Sequence, residues 1–277
     1  MPGVLRNRSS PLPGFGVSLG ITILWLSLVV LIPLSAVFAK SVSEGWSNFG
    51  AAAFSPRALA AYRLSFGAAA LAALVNCIFG LLVAWVLVRY SFPGRRLLSA
   101  LIDLPFALPT AVAGIALTAI YADTGVLGRI LEPAGLPIAY KPAGVVVALT
   151  FIGLPFVVRT VEPVLAQASS DVEEAAMTLG ATRLQTFSRV ILPAIGPALA
   201  TGFALAFARG AGEYGSVIFI AGNVPFKSEI APLLIVTQLE EYNYAGAAAI
   251  ACVMLLISFA LLFLLNLLQH FQHRKSA

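Results

Sequence analysis

An all-α polytopic membrane protein, with six transmembrane helices and both termini in the cytoplasm, is the fold class that three observations predict. Hydrophobic residues make up 60% of the 277-residue chain and charged residues only 10%, with a mean hydropathy of +0.94, against about 25% charged in an ordinary soluble domain. Apolar runs recur over residues 16–39, 64–88, 104–122, 142–158, 190–208 (extending to about 219) and 242–269, most of them near the roughly 20 residues that cross ~30 Å of hydrocarbon. The basic residues between the runs are lopsided. Arg6, Arg8, Arg89, Arg95, Arg96, Arg159, Arg183, Arg189, Arg274 and Lys275 fall in one set of alternate segments; Lys40, Arg57, Arg63, Arg129, Lys141 and Lys227 fall in the other. Ten against six places the termini inside under the positive-inside rule. The whole chain, 1–277, reads as one transmembrane domain.

Taken in order, the first run follows Arg6 and Arg8 and ends near Val37, Phe38 and Ala39, which resemble a signal-peptidase site. Its 24 apolar residues exceed the 7–15 of a secretory signal, so it reads as a spanning helix. The second carries Gly67, Gly80 and many alanines, small residues that let membrane helices approach closely. The third opens with Pro105 and Pro109, which remove two backbone donors and must break or kink the entry turn. Broken backbone at membrane depth implies a protein-lined cavity.

Composition also excludes functions. Cys77 and Cys252 lie inside apolar runs and read as packing residues. His270 and His273 stand in the last eight residues, so no interior His-based metal site is expected. None of Lys40, Lys141, Lys227 and Lys275 follows a glycine, so the chain has no P-loop and is not its own ATPase. The scattered basic residues form no single patch, and nucleic acid is not an expected partner.

The longest cytoplasmic loop, 159–193, has helical grammar. Ser170 and Glu173 form a capping box, with Asp171, Glu173 and Glu174 at the positive end of the helix dipole. Val172, Ala175, Ala176 and Leu179 make a small apolar face that Gly180 ends. Thr182 can cap a second helix, in which Leu184, Phe187 and Ile191 share a face before Pro193 stops it. Lipid-surface helices carry lysine and arginine, whereas the first helix carries three carboxylates and no base. Docking in a groove of a cytoplasmic protein fits better.

Glu174, Ala175, Ala176, Gly180, Val190, Leu192 and Pro193 resemble the EAA loop of the permease subunits of bacterial ABC importers; Val190 stands where that family has isoleucine. The stretches 89–114, 153–165 and 207–227 are similar to the T-type permeases of sulfate/thiosulfate importers, and the likeness runs from about Leu12 to Leu268. The resemblance implies a type I ABC importer permease fold in the bacterial inner membrane, with the EAA loop as the coupling helix held by a separate ATP-binding subunit. It implies as partners a second permease of a different, W-type chain, an ATPase dimer, a periplasmic sulfate/thiosulfate-binding protein and membrane lipid. It implies no cofactor in this chain, ATP and magnesium being bound by the ATPase. Molybdate and tungstate permeases share the EAA loop and stay open as an alternative, as does an ion-coupled secondary anion transporter.

Two charges fall in the fifth run. Arg209 lies roughly 18 Å along the helix from Pro197, and Glu213 stands four residues further on the same face. Charges at such depth pair or face a cavity. Arg209 and Glu213 therefore read either as an internal bridge or as part of an anion pathway beside Gly210, Gly212 and Gly215. Asp103, at the end of the third run, reads as a solvated interfacial carboxylate.

Overall fold

The computed structural model describes residues 14–168 and 170–276, without the side chains of Ser170, Asp171 and residues 268–276. Arg6, Arg8 and the side chains of the Ser170 cap, His270, His273, Arg274 and Lys275 lie outside the described residues.

The described residues with regular structure are helical. Five helices are long and apolar enough to cross a membrane: α1 (Phe15–Ser41), α3 (Pro56–Arg89), α8 (Pro142–Gln167), α10 (Arg183–Ala211) and α13 (Tyr244–Ser276). Between α1 and α3 lies α2 (Trp46–Ala53). The segment before α8 holds α4 (Arg95–Ile102), α5 (Leu104–Ala107), α6 (Thr110–Tyr121) and α7 (Gly128–Leu131). The coupling segment is α9 (Ser170–Thr178), and α11 (Val217–Ala221) and α12 (Ala231–Glu240) precede α13.

Several helix bounds differ from the sequence expectation, each for a local reason. The helix expected over 64–88 begins at Pro56, because Pro56 suits a first helical position and the Ser55 hydroxyl accepts the Ala58 N–H at 3.2 Å. The expected third span, 104–122, is no continuous helix. Leu108 and Pro109 are extended, with ψ of 136° and 133°, between α5 and α6, as the residue before a proline prefers. Helix α8 runs past residue 158 to Gln167, with Pro155, Arg159 and Pro163 inside it. The 159–193 loop therefore shrinks to a connection around α9, and Arg159 is not a loop residue.

Pro193 does not stop a helix. Phe187–Ile191 is wound as a π-helix in which the Leu192 N–H donates to the Phe187 carbonyl, and the helix passes Pro193 after this wider turn and continues to Ala211. There it ends at Gly212, short of the expected 219, and α11 is a separate piece. Leu184 does not share a buried face with Phe187 and Ile191: it is 75% exposed, Ile191 is buried, and Phe187 meets the Trp85 ring edge-on at 5.8 Å.

The core is built where α3, α8 and α10 meet, from small residues on α3 against branched ones on α8: Ala69, Ala72, Ala73 and Ala84 with Val145, Leu149, Val157 and Val161. A second cluster joins α2, the start of α3, α12 and α13 through Tyr62, Leu234 and Ile250. Much of α1 is exposed, with no buried residue between Phe15 and Leu31, as suits a helix whose solvent is lipid.

Candidate functional site

Two sites follow from the helices that position them. The first is α9 and its junction to α10. Gly180 has φ of +85°, its N–H donates to the Met177 carbonyl at 2.9 Å and the Ala181 N–H to the Ala176 carbonyl at 3.0 Å. This is a Schellman ending, in which glycine takes the left-handed position at no steric cost. The chain then turns directly into a capping box: the Gln185 N–H donates to the Thr182 hydroxyl, and the Thr182 N–H to the Gln185 side-chain oxygen at 2.8 Å. With both helix ends closed by their own hydrogen bonds, the angle between α9 and α10 is fixed.

Of the other motif residues, Glu174 and Ala175 are exposed, Ala176, Val190 and Leu192 are half-buried, and Pro193 is exposed. Around the bend stand Val172, Met177, Leu179 (89% exposed) and Leu184, a run of bare apolar side chains at one end of the bundle. Glu173 does not belong to that surface. Its carboxylate pairs with Arg89 at the end of α3, and the Arg89 guanidinium lies over the Trp85 ring, 5.6 Å from its centre. The helix is thus tied by charge to the bundle, and its apolar side is left open.

The second site is at the opposite end of α10. Arg209 and Glu213 pair through Nη1 and Oε2, and the other carboxylate oxygen accepts both the Ser216 N–H at 2.9 Å and its hydroxyl at 3.0 Å. Glu213 is only 2% exposed, whereas a third of the Arg209 side chain is accessible. The loop so held is pressed onto the start of α6: a Cβ on Gly114 would lie 2.4 Å from the Ser216 carbonyl oxygen, and one on Gly215 would lie 2.2 Å from the Thr110 hydroxyl. Glycine is required at both contacts. The broken third span and the broken end of α10 therefore meet here, which gives non-helical backbone a protein surrounding.

Two further charge clusters had no signal in the sequence beyond the presence of charges. Arg159 donates to Asp103 from Nε at 2.9 Å and Nη2 at 2.5 Å, to Glu162 at 2.6 Å and to the Ser99 carbonyl at 3.0 Å. Asp103 is thus an ion-pair partner linking the α4–α5 junction to α8, while its side chain stays 43% exposed. Arg57 forms a two-pronged bridge to the buried Glu229 at 2.7 and 2.8 Å, fixing the start of α3 to the segment before α12. Beside that bridge, the Ser65 hydroxyl accepts the Ala231 N–H at 2.8 Å.

Residues 76–275 match the family model described as the binding-protein-dependent transport system inner membrane component. The chain belongs to that family. It is 48% identical over 258 residues, 93% of each chain, to the sulfate transport system permease protein CysT of Salmonella typhimurium. It is 47% identical to the protein of the same name from Synechocystis, covering 99% of this chain and 96% of that one. Among solved structures it resembles a bacterial ABC transporter involved in the import of the acidic polysaccharide alginate, with a TM-score of 0.75, 17% identity and 94% of both chains covered. The methionine ABC transporter MetNI gives a TM-score of 0.58 at 18% identity, over 76% of this chain and 94% of that one. These two likenesses show the fold, that of ABC importer permeases. The family member described here is a multi-pass membrane protein, and subunits of this family are transport components, not enzymes in themselves.

Proposed function

We propose that the chain is the sulfate- and thiosulfate-translocating permease of an ATP-driven importer in a bacterial inner membrane, with six membrane crossings and both termini cytoplasmic. The substrate reading rests on the near-full-length similarity to the sulfate permeases. A single structural observation supports the coupling role: the exposed apolar residues Met177, Leu179 and Leu184 surround a bend whose geometry Gly180 and Thr182 fix. A short helix of that kind suits a cleft in a separate ATPase, which would hold the ATP and magnesium. In this reading Glu174, Ala175, Ala176, Gly180, Val190, Leu192 and Pro193 form the docking segment. A different, W-type permease completes the pathway, a periplasmic binding protein delivers the anion, and the third crossing is the broken rod α5–α6. Arg209 borders the anion path with Glu213 as its internal partner.

The test is uptake of radiolabelled sulfate into proteoliposomes holding the chain with its ATPase and partner permease, and supplied with the binding protein. Uptake should need ATP and should compete with thiosulfate. Transport of molybdate but not sulfate would replace the substrate assignment.

Orientation has its own test. After replacement of Cys77 and Cys252, the exposed positions Ser47, Ser91 and Tyr242 are changed singly to cysteine. An impermeant thiol reagent on intact cells should label Ser47→Cys and Tyr242→Cys and spare Ser91→Cys, because Ser91 belongs to the end that carries α9. The opposite pattern would invert the topology.

A further inference from the structure

Asn76, near the middle of α3, is 0% exposed, and neither its amide nitrogen nor its amide oxygen has a hydrogen-bond partner among the described residues. It stands at the junction of three helices. A Cβ on Gly153 of α8 would lie 2.5 Å from its nitrogen and 3.4 Å from Ala206 of α10. Glycine at 153 is what leaves the amide room. At the same junction Val157 of α8 seats in the notches left by Gly80 of α3 and Gly202 of α10, and Gly210 abuts Ala69. Small residues at these positions let the three helices approach closely. Within this contact the Asn76 amide is left without a partner among the described residues, and an unpaired buried amide destabilises the arrangement that contains it.

We propose that Asn76 sets the conformational balance of the permease: it disfavours the packing of α3 against α8 and α10 described here relative to a second packing, in which its amide meets water or a backbone carbonyl. The residue touches no transported anion in this scheme. It acts through the populations of two states.

The deciding variant is Asn76→Thr, close to asparagine in volume. In a helix threonine satisfies its own hydroxyl on the carbonyl four residues back, as Thr160 does to Phe156 at 2.6 Å and Thr201 to Pro197 at 2.9 Å. Removing the orphan should raise the melting temperature of the purified complex by several degrees and lower ATP-driven uptake about tenfold at equal abundance. A residue with only a packing role would not move these two in opposite directions. Asn76→Ala should likewise raise the melting temperature and lower uptake. An unraised melting temperature, or wild-type uptake, in Asn76→Thr overturns the proposal. Should the wild-type complex carry no sulfate, the substrate reading fails, and the melting comparison still decides this one.

Discussion

Replacing Gly180 with valine is expected to lower ATP-driven uptake by about tenfold or more while leaving the protein assembled in the membrane. The cost has one source. A Cβ at position 180 meets no atom within 4 Å, so there is no clash to relieve, and the whole penalty lies in holding a β-branched residue at φ of +85°. Left-handed backbone costs ordinary L-residues about 1–2 kcal/mol, and more when Cβ is branched. The chain escapes by abandoning the Schellman ending, which turns α9 relative to α10 and moves Leu179 and Leu184 out of register with any partner cleft. Asparagine tolerates the left-handed region, so Gly180→Asn should retain most uptake. The measurement is uptake per assembled complex for both variants. Normal uptake in Gly180→Val would remove the bend from the coupling mechanism.

The second large effect concerns Arg209→Met, which strands the Glu213 carboxylate in a site only 2% exposed. Breaking a buried ion pair from one side costs about 3–5 kcal/mol, and membrane-insertion scales give about 2.5–3.5; with Arg209 a third exposed, the lower range applies. Abundance of the complex should fall sharply. Adding Glu213→Gln should restore it, because the neutral amide oxygen still accepts the Ser216 N–H and hydroxyl, whereas Glu213→Leu would remove the ion and the acceptor together. Uptake by the restored Arg209→Met/Glu213→Gln complex then separates the two roles of the arginine. Near wild-type transport means that Arg209 only braces the helix end; an assembled but inactive complex means that its charge serves the anion.

What could be read in advance was local. The end of α9 follows from an apolar spacing of three and four residues closed by a glycine, and Thr182 and Gln185 are a capping pair by type and spacing alone. The break at Leu108 follows from two prolines whose backbone demands nothing else can meet. What could not be read needed a partner distant in sequence. Glu173 is 84 positions from Arg89, and Glu229 is 172 from Arg57, and nothing local says which carboxylate a given arginine finds. Arg159 and Glu162 marked a loop by their charge, yet Asp103 and the i,i+3 contact make those charges acceptable within α8. Pro193 carried a stop signal, yet the helix passes it after a π-helical turn, and short, charge-flanked α12 gave too weak a hydropathy signal to stand out.

Helix α3 is 34 residues long, about 51 Å at 1.5 Å per residue, and each of its ends carries an arginine in an ion pair with a different part of the chain. Arg89 grips Glu173 of α9 and Arg57 grips Glu229 on the far side. The rod contains no internal proline and no π-turn, and so has no joint at which a longitudinal push could be lost. In mechanical terms it is a strut with a clamp at each end. Tension on either clamp must be carried by the whole length or break an ion pair, and the two faces of the membrane share one stiff member.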